Sequence, residues 1–192
     1  MTRRAIWTAV AATATALMLA PGFAPPRPVL LWNATASTPV GLYRLQAPGA
    51  PHDGELVAAM PPAPIASFLA RGGFLPHGVP LLKHVAALPG QTVCRAGDAI
   101  TIDGKAVGTA LDRDHLGRLL PRWSGCRRLG RGEVFLMNRT VPDSLDGRYF
   151  GPFPAASIVG QAVPVWIEHS RRPPARQACE RAPTASPSPA EG

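Results

Sequence analysis

The middle of this chain is divided into short apolar runs by proline and glycine, which limits it to a fold built from short strands. Runs of this kind predict buried strands at residues 55–59, 79–87, 133–137 and 158–167. Between residues 99 and 107, apolar and polar residues alternate on both sides of Asp103-Gly104. This pattern predicts a hairpin with a type I′ turn. We therefore expect a mainly β domain, with Gly160 marking a bulge.

One short helix is predicted over residues 63–71, because the apolar residues there have helical spacing and Gly72-Gly73 would end the helix. The last residues of the chain, 169–192, are rich in Pro, Arg, Ala and Ser. Such a composition has too little apolar surface to join a core, so a disordered tail is predicted. Residues 35–168 remain as one folded domain.

The N-terminus has the pattern of a targeting segment. Arg3 and Arg4 precede a stretch, residues 5–20, that is uncharged and mostly apolar. The positive start favours a cytoplasmic N-terminus with the rest of the chain outside. We expect residues 1–22 to remain as a membrane anchor or signal-anchor. Because the stretch is shorter than a full span of about 20 residues, a cleaved signal peptide is the alternative.

A proline-rich spacer is predicted to follow the anchor over residues 23–34. Its first part would be stiff, and residues 29–32 could dip into the membrane interface. The formal net charge of +8 would suit an anionic membrane surface or nucleic acid. The arginines are scattered and no nucleic-acid-binding motif is visible, so we expect no nucleic-acid partner.

Two residues of the predicted domain, a serine and a lysine, indicate nucleophilic chemistry. Ser37 follows the N-terminal segment closely, and Lys83 is the one lysine of the apolar run at 79–87. A serine hydroxyl needs a base, and a lysine buried among apolar neighbours can be neutral enough to act as one. Taken singly, a Ser-x-Pro usually begins a turn and a lone strand lysine usually reaches out to water. The order of the two residues makes the pair more informative than either alone.

Three blocks of sequence resemble the type I signal peptidase superfamily, and within it the TraF-type peptidases of conjugative transfer. The first, residues 37–44 (STPVGLYR), is similar to the nucleophile box of that branch. The second, residues 82–90 (LKHVAALPG), is similar to the lysine box. The third joins residues 132–138 (GEVFLMN) to residues 142–152 (PDSLDGRYFGP), which resembles the final Ser-x-Asp-x-Arg-x-x-Gly box. The resemblance implies a signal-peptidase-like β scaffold.

The same resemblance implies roles for six residues. Ser37 would be the nucleophile and Lys83 its base, with the Ser37 backbone N–H and the Thr35 hydroxyl donating to the oxyanion. Ser144 would hold the lysine ammonium. Asp146 and Arg148 would form a supporting ion pair, although a turn with a surface salt bridge is the alternative for these two.

The implied function is a membrane-bound serine endopeptidase that removes a leader or terminal peptide from exported precursors. Its substrate would be a conjugative pilin, with cyclisation of the product in some members of the branch. It would lie in the bacterial inner membrane with its catalytic domain facing the periplasm, and it would need no cofactor. Two alternatives are a general type I signal peptidase and a non-catalytic structural protein of an envelope complex. A LexA-like repressor is disfavoured, because this chain has an anchor where those proteins have a DNA-binding domain.

The cysteines and histidines agree with an exported serine enzyme. An oxidising periplasm would permit a disulfide between Cys94 and Cys126, which would stabilise the fold by about 3 kcal/mol. Neither cysteine has the spacing of a metal ligand, so no metal site is expected. His84 follows Lys83 directly and would point to the opposite face of the strand. It is therefore predicted to be a structural or surface group rather than a third catalytic residue.

Overall fold

The structure is a computed structural model that describes residues 3–19 and 29–168, and it is mainly β as predicted. The predicted disordered tail, residues 169–192, the first half of the predicted spacer, residues 23–28, and the end of the predicted anchor, residues 20–22, lie outside the described residues. Helix α1 covers Arg3–Leu19. No helix within the described ranges is long and apolar enough to cross a membrane.

Within the described residues, eleven strands and two further α-helices follow α1. The strands are β1 (Leu30–Asn33), β2 (Gly41–Gln46), β3 (Leu56–Ala59), β4 (Leu81–Ala87), β5 (Thr92–Ala96), β6 (Ala99–Ile102), β7 (Lys105–Thr109), β8 (Gly125–Arg128), β9 (Glu133–Leu136), β10 (Phe153–Pro154) and β11 (Ile158–Ile167). The helices are α2 (Ala63–Arg71) and α3 (Gly147–Phe150). A seven-stranded sheet has the order β1-β2-β11-β3-β4-β9-β10, and a four-stranded sheet has the order β7-β6-β5-β8.

Several local predictions are confirmed. Helix α2 has the predicted bounds. The β6–β7 hairpin turns at Asp103 and Gly104, whose φ angles of 48° and 75° are both positive, as a type I′ turn requires. The register of β11 against β3 shifts between Ile158 and Gly160, where the bulge is predicted.

The folded sheet begins earlier in the chain than the predicted boundary at residue 35. Leu30–Asn33, inside the predicted spacer, forms β1 and pairs with β2. The Trp32 ring also stacks on Trp166 of β11, with 5.8 Å between ring centroids. Pairing and stacking hold this segment in the sheet, although its own sequence resembles an interfacial linker.

The smaller sheet carries the disulfide. Cys94 of β5 lies directly opposite Cys126 of β8, and their sulfur atoms are bonded. The pairing that the sequence analysis allowed is therefore present. It closes a loop between residues 32 positions apart in the sequence, which contains the β6–β7 hairpin.

Strand β4 lies in the interior of the domain and contains a buried lysine, Lys83. It runs between β3 and β9, and six of its seven residues are buried. Leu81 and Val85 pack into one apolar cluster, and Leu82 packs into another on the other face of the sheet. Lys83 shares the face of Leu81 and Val85, because side chains alternate along a strand. Its ammonium is therefore carried into a largely apolar setting.

Candidate active site

The structure brings Ser37, Lys83 and Ser144 together from three separate parts of the chain. Ser37 lies in the loop between β1 and β2, Lys83 in the middle of β4, and Ser144 just before α3. The Lys83 Nζ donates to Ser144 Oγ at 2.7 Å and to Ser37 Oγ at 3.2 Å. One amine thus contacts two hydroxyls.

Lys83 is only 2% exposed, and this burial changes its acidity. Desolvation of the ammonium lowers the pKa of Lys83 to about 8. The charge of Arg148 lowers the pKa further, whereas the carboxylates of Asp146 and Asp143 oppose the shift. A substantial neutral fraction of this lysine therefore exists near neutral pH.

Asp146 and Arg148 form a buried ion pair rather than a salt bridge on a surface turn. Their side chains are 0% and 1% exposed, and Arg148 Nη2 lies 2.9 Å from Asp146 Oδ2. The Arg148 guanidinium also donates to the carbonyl oxygens of Val141 and Ser144. The pair therefore fixes the segment that carries Ser144, a role the surface alternative does not allow.

Thr35 lies beside the serine, but its hydroxyl already has an acceptor. Its Oγ1 is 3.3 Å from Ser37 Oγ and donates to Asn33 Oδ1 at 2.9 Å. A hydroxyl has one proton, so Thr35 can donate to an oxyanion only after it turns away from Asn33.

Two asparagines at this site were not singled out from the sequence. Asn33 donates to the carbonyl oxygens of Thr35, Thr38 and Pro39, and so shapes the serine loop. Asn138 donates to the Ser37 carbonyl oxygen at 2.6 Å. The available signal for Asn138 was a polar residue directly after an apolar strand, in the third block.

A groove of about 490 Å³ opens at the Ser37 hydroxyl and the Lys83 amine. Its wall is mostly apolar and includes Leu31, Trp32, Leu69, Phe74, Val79 and Leu145. The volume lies within the usual range for ligand sites, of roughly 300–1,000 Å³. Its chemistry suits a segment of apolar or small residues placed with a carbonyl beside Ser37.

The loop at residues 112–119 contributes polar groups to the same groove. Asp114 and His115 line it. Arg118 fastens the loop, because its guanidinium lies 4.1 Å from the Phe74 ring centroid and donates to Asp114 and to the Gly72 carbonyl. No three His, Cys, Asp or Glu side chains gather as metal ligands in the part of the chain that the structure describes.

The chain is similar to a signal peptidase family and to proteins named for conjugal and plasmid transfer. The family model described as "Signal peptidase, peptidase S26" matches residues 2–167. The conjugal transfer protein TraF of Agrobacterium fabrum (strain C58) is 37% identical over 145 residues, which cover 70% of this chain and 80% of that protein. The plasmid transfer protein TraF of Escherichia coli is 30% identical over 172 residues, covering 85% of this chain and 95% of that protein.

A solved structure is more distantly similar. The crystal structure of a signal peptidase I from Enterococcus faecalis V583 aligns with 60% of this chain and 98% of its own, at 22% sequence identity and a TM-score of 0.36. A similarity of this size supports no inference about residues or substrates.

Proposed function

This chain belongs to the signal peptidase family, peptidase S26, and on that premise we propose that it is a serine endopeptidase with a Ser37/Lys83 dyad. The observation that carries the proposal is the position of the Lys83 amine, which is 2% exposed and lies 3.2 Å from the Ser37 hydroxyl. Both groups face the groove that would hold the substrate.

In the proposed reaction, the neutral Lys83 amine accepts the Ser37 proton as Ser37 Oγ bonds to the scissile carbonyl carbon. The resulting ammonium gives that proton to the leaving amine when the peptide bond breaks, and an ester remains on Ser37. Water then attacks the ester while Lys83 accepts its proton and returns it to Ser37 Oγ, and the acid product leaves. A pKa of about 8 suits a group that must both accept and release a proton near neutral pH.

The neighbouring groups have supporting roles in this proposal. Ser144 Oγ accepts a hydrogen bond from the Lys83 amine at 2.7 Å. This bond orients the remaining hydrogens and the lone pair of that amine. The Ser37 backbone N–H donates to the oxyanion, and so does the Thr35 hydroxyl once it has turned away from Asn33 Oδ1. One such donor typically contributes about 3 kcal/mol of transition-state stabilisation.

We further propose that the substrate is an exported precursor, specifically a conjugative pilin, and that some products are cyclised by attack of an amine instead of water. Support comes from two relatives, which are named for conjugal and plasmid transfer. The proposed location is the bacterial inner membrane, with the catalytic domain in the periplasm. Residues 1–22 would hold the chain there, since Arg3 and Arg4 begin a helix with exposed Ile6, Trp7 and Val10.

The test is processing of two precursors by full-length protein, read by mass spectrometry. One is a conjugative pilin precursor and the other a secretory precursor with an Ala-x-Ala cleavage site. Ser37→Ala should abolish processing, whereas Ser124→Ala, which changes an exposed serine outside the groove, should process normally. A cyclic product would be lighter than the linear one by one water.

The alternatives give different results in the same experiment. Processing of the secretory precursor but not of the pilin precursor would favour a general signal peptidase. Processing of neither by the wild-type protein would favour a non-catalytic envelope component. Normal processing by Ser37→Ala would refute the nucleophile assignment.

A further inference from the structure

The serine loop and the lysine strand are not neighbours in the sheet. Ser37 follows β1 and precedes β2, and two strands, β11 and β3, separate β2 from β4. Strand pairing therefore does not set the distance between the Ser37 hydroxyl and the Lys83 amine. Hydrogen bonds made by side chains contribute to this distance.

Asn138, two residues after the end of β9, makes several bonds across this gap, beside the direct bond from Thr38 Oγ1 to the Leu82 carbonyl oxygen at 3.2 Å. Its side-chain nitrogen donates to the carbonyl oxygens of Ser37 at 2.6 Å and Leu82 at 3.2 Å, and lies 3.1 Å from Thr38 Oγ1. The residue is 2% exposed. Its backbone N–H donates to Asp146 at 3.0 Å. One buried residue thus joins the serine loop and the lysine strand through its side chain and the ion pair through its backbone.

The orientation of the Asn138 side-chain amide depends on a second residue of β4, His84. The Asn138 oxygen accepts from the His84 backbone N–H at 3.2 Å and lies 3.0 Å from His84 Nδ1. A carbonyl oxygen only accepts, so this contact requires a proton on Nδ1. If the amide were flipped, its oxygen would face two carbonyl oxygens and its nitrogen would face a backbone N–H. The two carbonyl oxygens and the His84 backbone N–H therefore disfavour the flipped arrangement, and a proton on His84 Nδ1 disfavours it further.

We infer that Asn138 is a positioning residue that holds the Ser37 carbonyl against the lysine strand, and that His84 fixes the direction of the Asn138 amide. The inference rests on the proposed function, since positioning is defined relative to Ser37 acting as the nucleophile. It also gives a role to His84, which points away from the Lys83 amine.

Four substitutions separate positioning from general stability. Asn138→Ala removes the side-chain bonds to the Ser37 and Leu82 carbonyl oxygens and leaves the Thr38–Leu82 bond alone between the two segments. A nucleophile displaced by about 1 Å can lose about 100-fold in rate. Asn138→Asp keeps the shape but turns a carboxylate oxygen toward the Ser37 carbonyl, so its loss should be at least as large. His84→Ala should cost about fivefold, the scale of one neutral hydrogen bond. His84→Asn can donate from the position of Nδ1 and should retain most of the activity.

The matched control is Gln91→Ala. The Gln91 amide also joins two segments, since it accepts from the Leu88 backbone N–H and donates to Asp103. It lies at the smaller sheet and does not line the groove. Its loss should lower the unfolding temperature without changing kcat.

The kinetic readout is cleavage of an internally quenched peptide with Ala-x-Ala before the scissile bond. We expect the Asn138 variants to lose kcat while KM stays within about twofold, because the groove wall is unchanged. A readout independent of cleavage is NMR of protein labelled with ¹³Cε-lysine. The chain has two lysines, Lys83 and Lys105, so Lys105→Arg assigns the spectrum. Release of the serine loop in Asn138→Ala should hydrate Lys83 and raise its pKa from about 8.

The outcomes distinguish this inference from the proposed function. If the wild-type protein does not cleave the peptide, the kinetic result counts against the proposed function, and the Lys83 titration still decides whether Asn138 holds the serine loop. Wild-type kcat together with a wild-type Lys83 titration in Asn138→Ala would overturn the inference. If Asn138→Ala does not fold, the histidine pair decides, because equal kcat in His84→Ala and His84→Asn would refute the role of His84.

Discussion

The rate of the proposed reaction should rise with pH and level off near the pKa of Lys83. Burial lowers that pKa from the ordinary 10.5 to about 8. The shift corresponds to about 3 kcal/mol against the charged form. Only the neutral amine can accept the Ser37 proton, so kcat/KM should follow the neutral fraction of Lys83.

The size of the effect follows from the two pKa values. At pH 7 a lysine with a pKa of about 8 is neutral in about one molecule in ten, whereas an unshifted lysine is neutral in about one in 3,000. Burial thus raises the active fraction about 300-fold at neutral pH. Below pH 8, kcat/KM should fall about tenfold for each pH unit.

The assay is a kcat/KM profile from pH 6 to 10 on an uncharged quenched peptide, compared with the ¹³Cε titration of Lys83. The two midpoints should agree, because one proton controls both. Lys83→Arg keeps the charge but cannot deprotonate in this range, so it should be as inactive as Lys83→Ala. A profile that does not change with pH, or full activity in the arginine variant, would refute the role of Lys83 as a base.

Three further perturbations follow from the same structure. Since the folded pKa of Lys83 lies below its unfolded value, the buried charge destabilises the fold most below pH 8. Lys83→Met should then unfold at higher urea than wild type at pH 7, with the difference fading as pH rises toward 10.5. Asp146→Asn leaves the buried Arg148 charge unpaired and should lower the free energy of unfolding in urea by about 3 to 5 kcal/mol. In molecules that remain folded, the activity profile should shift to lower pH, because the Asp146 charge raises the pKa of Lys83 in the wild-type protein. Reduction of the Cys94–Cys126 bond should cost about 3 to 4 kcal/mol on the chain-entropy scale while leaving the Lys83 titration unchanged.

Sequence patterns predicted the secondary-structure elements that depend on residues close together in the chain. The β6–β7 hairpin depends on Asp103-Gly104, and β11 is a long apolar run with its bulge at a glycine. Strand β8 has no such signal, since all four of its residues are exposed. It is held by pairing with β5 and by the disulfide, which are properties of the folded chain.

The same contrast applies within the site. Ser37 and Lys83 could be proposed from motifs, because each lies in a recognisable block. The bonds of Asn138 reach Ser37 and Leu82, which are 101 and 56 positions away in the sequence. No periodicity or spacing encodes contacts of that range. The exposed alternative for Asp146 and Arg148 was also reasonable until packing placed both inside the core.

The buried ion pair stabilises geometry more than it tunes charge. Asp146 and Arg148 shift the pKa of Lys83 in opposite directions, so their effects partly offset each other and burial remains the largest cause. Their hydrogen bonds do not offset each other. Asp146 accepts from the Asn138 backbone, and Arg148 donates to the Ser144 carbonyl oxygen. The pair therefore holds both the group that positions the serine and the group that contacts the lysine, while it leaves the acidity of the lysine mainly to its apolar surroundings.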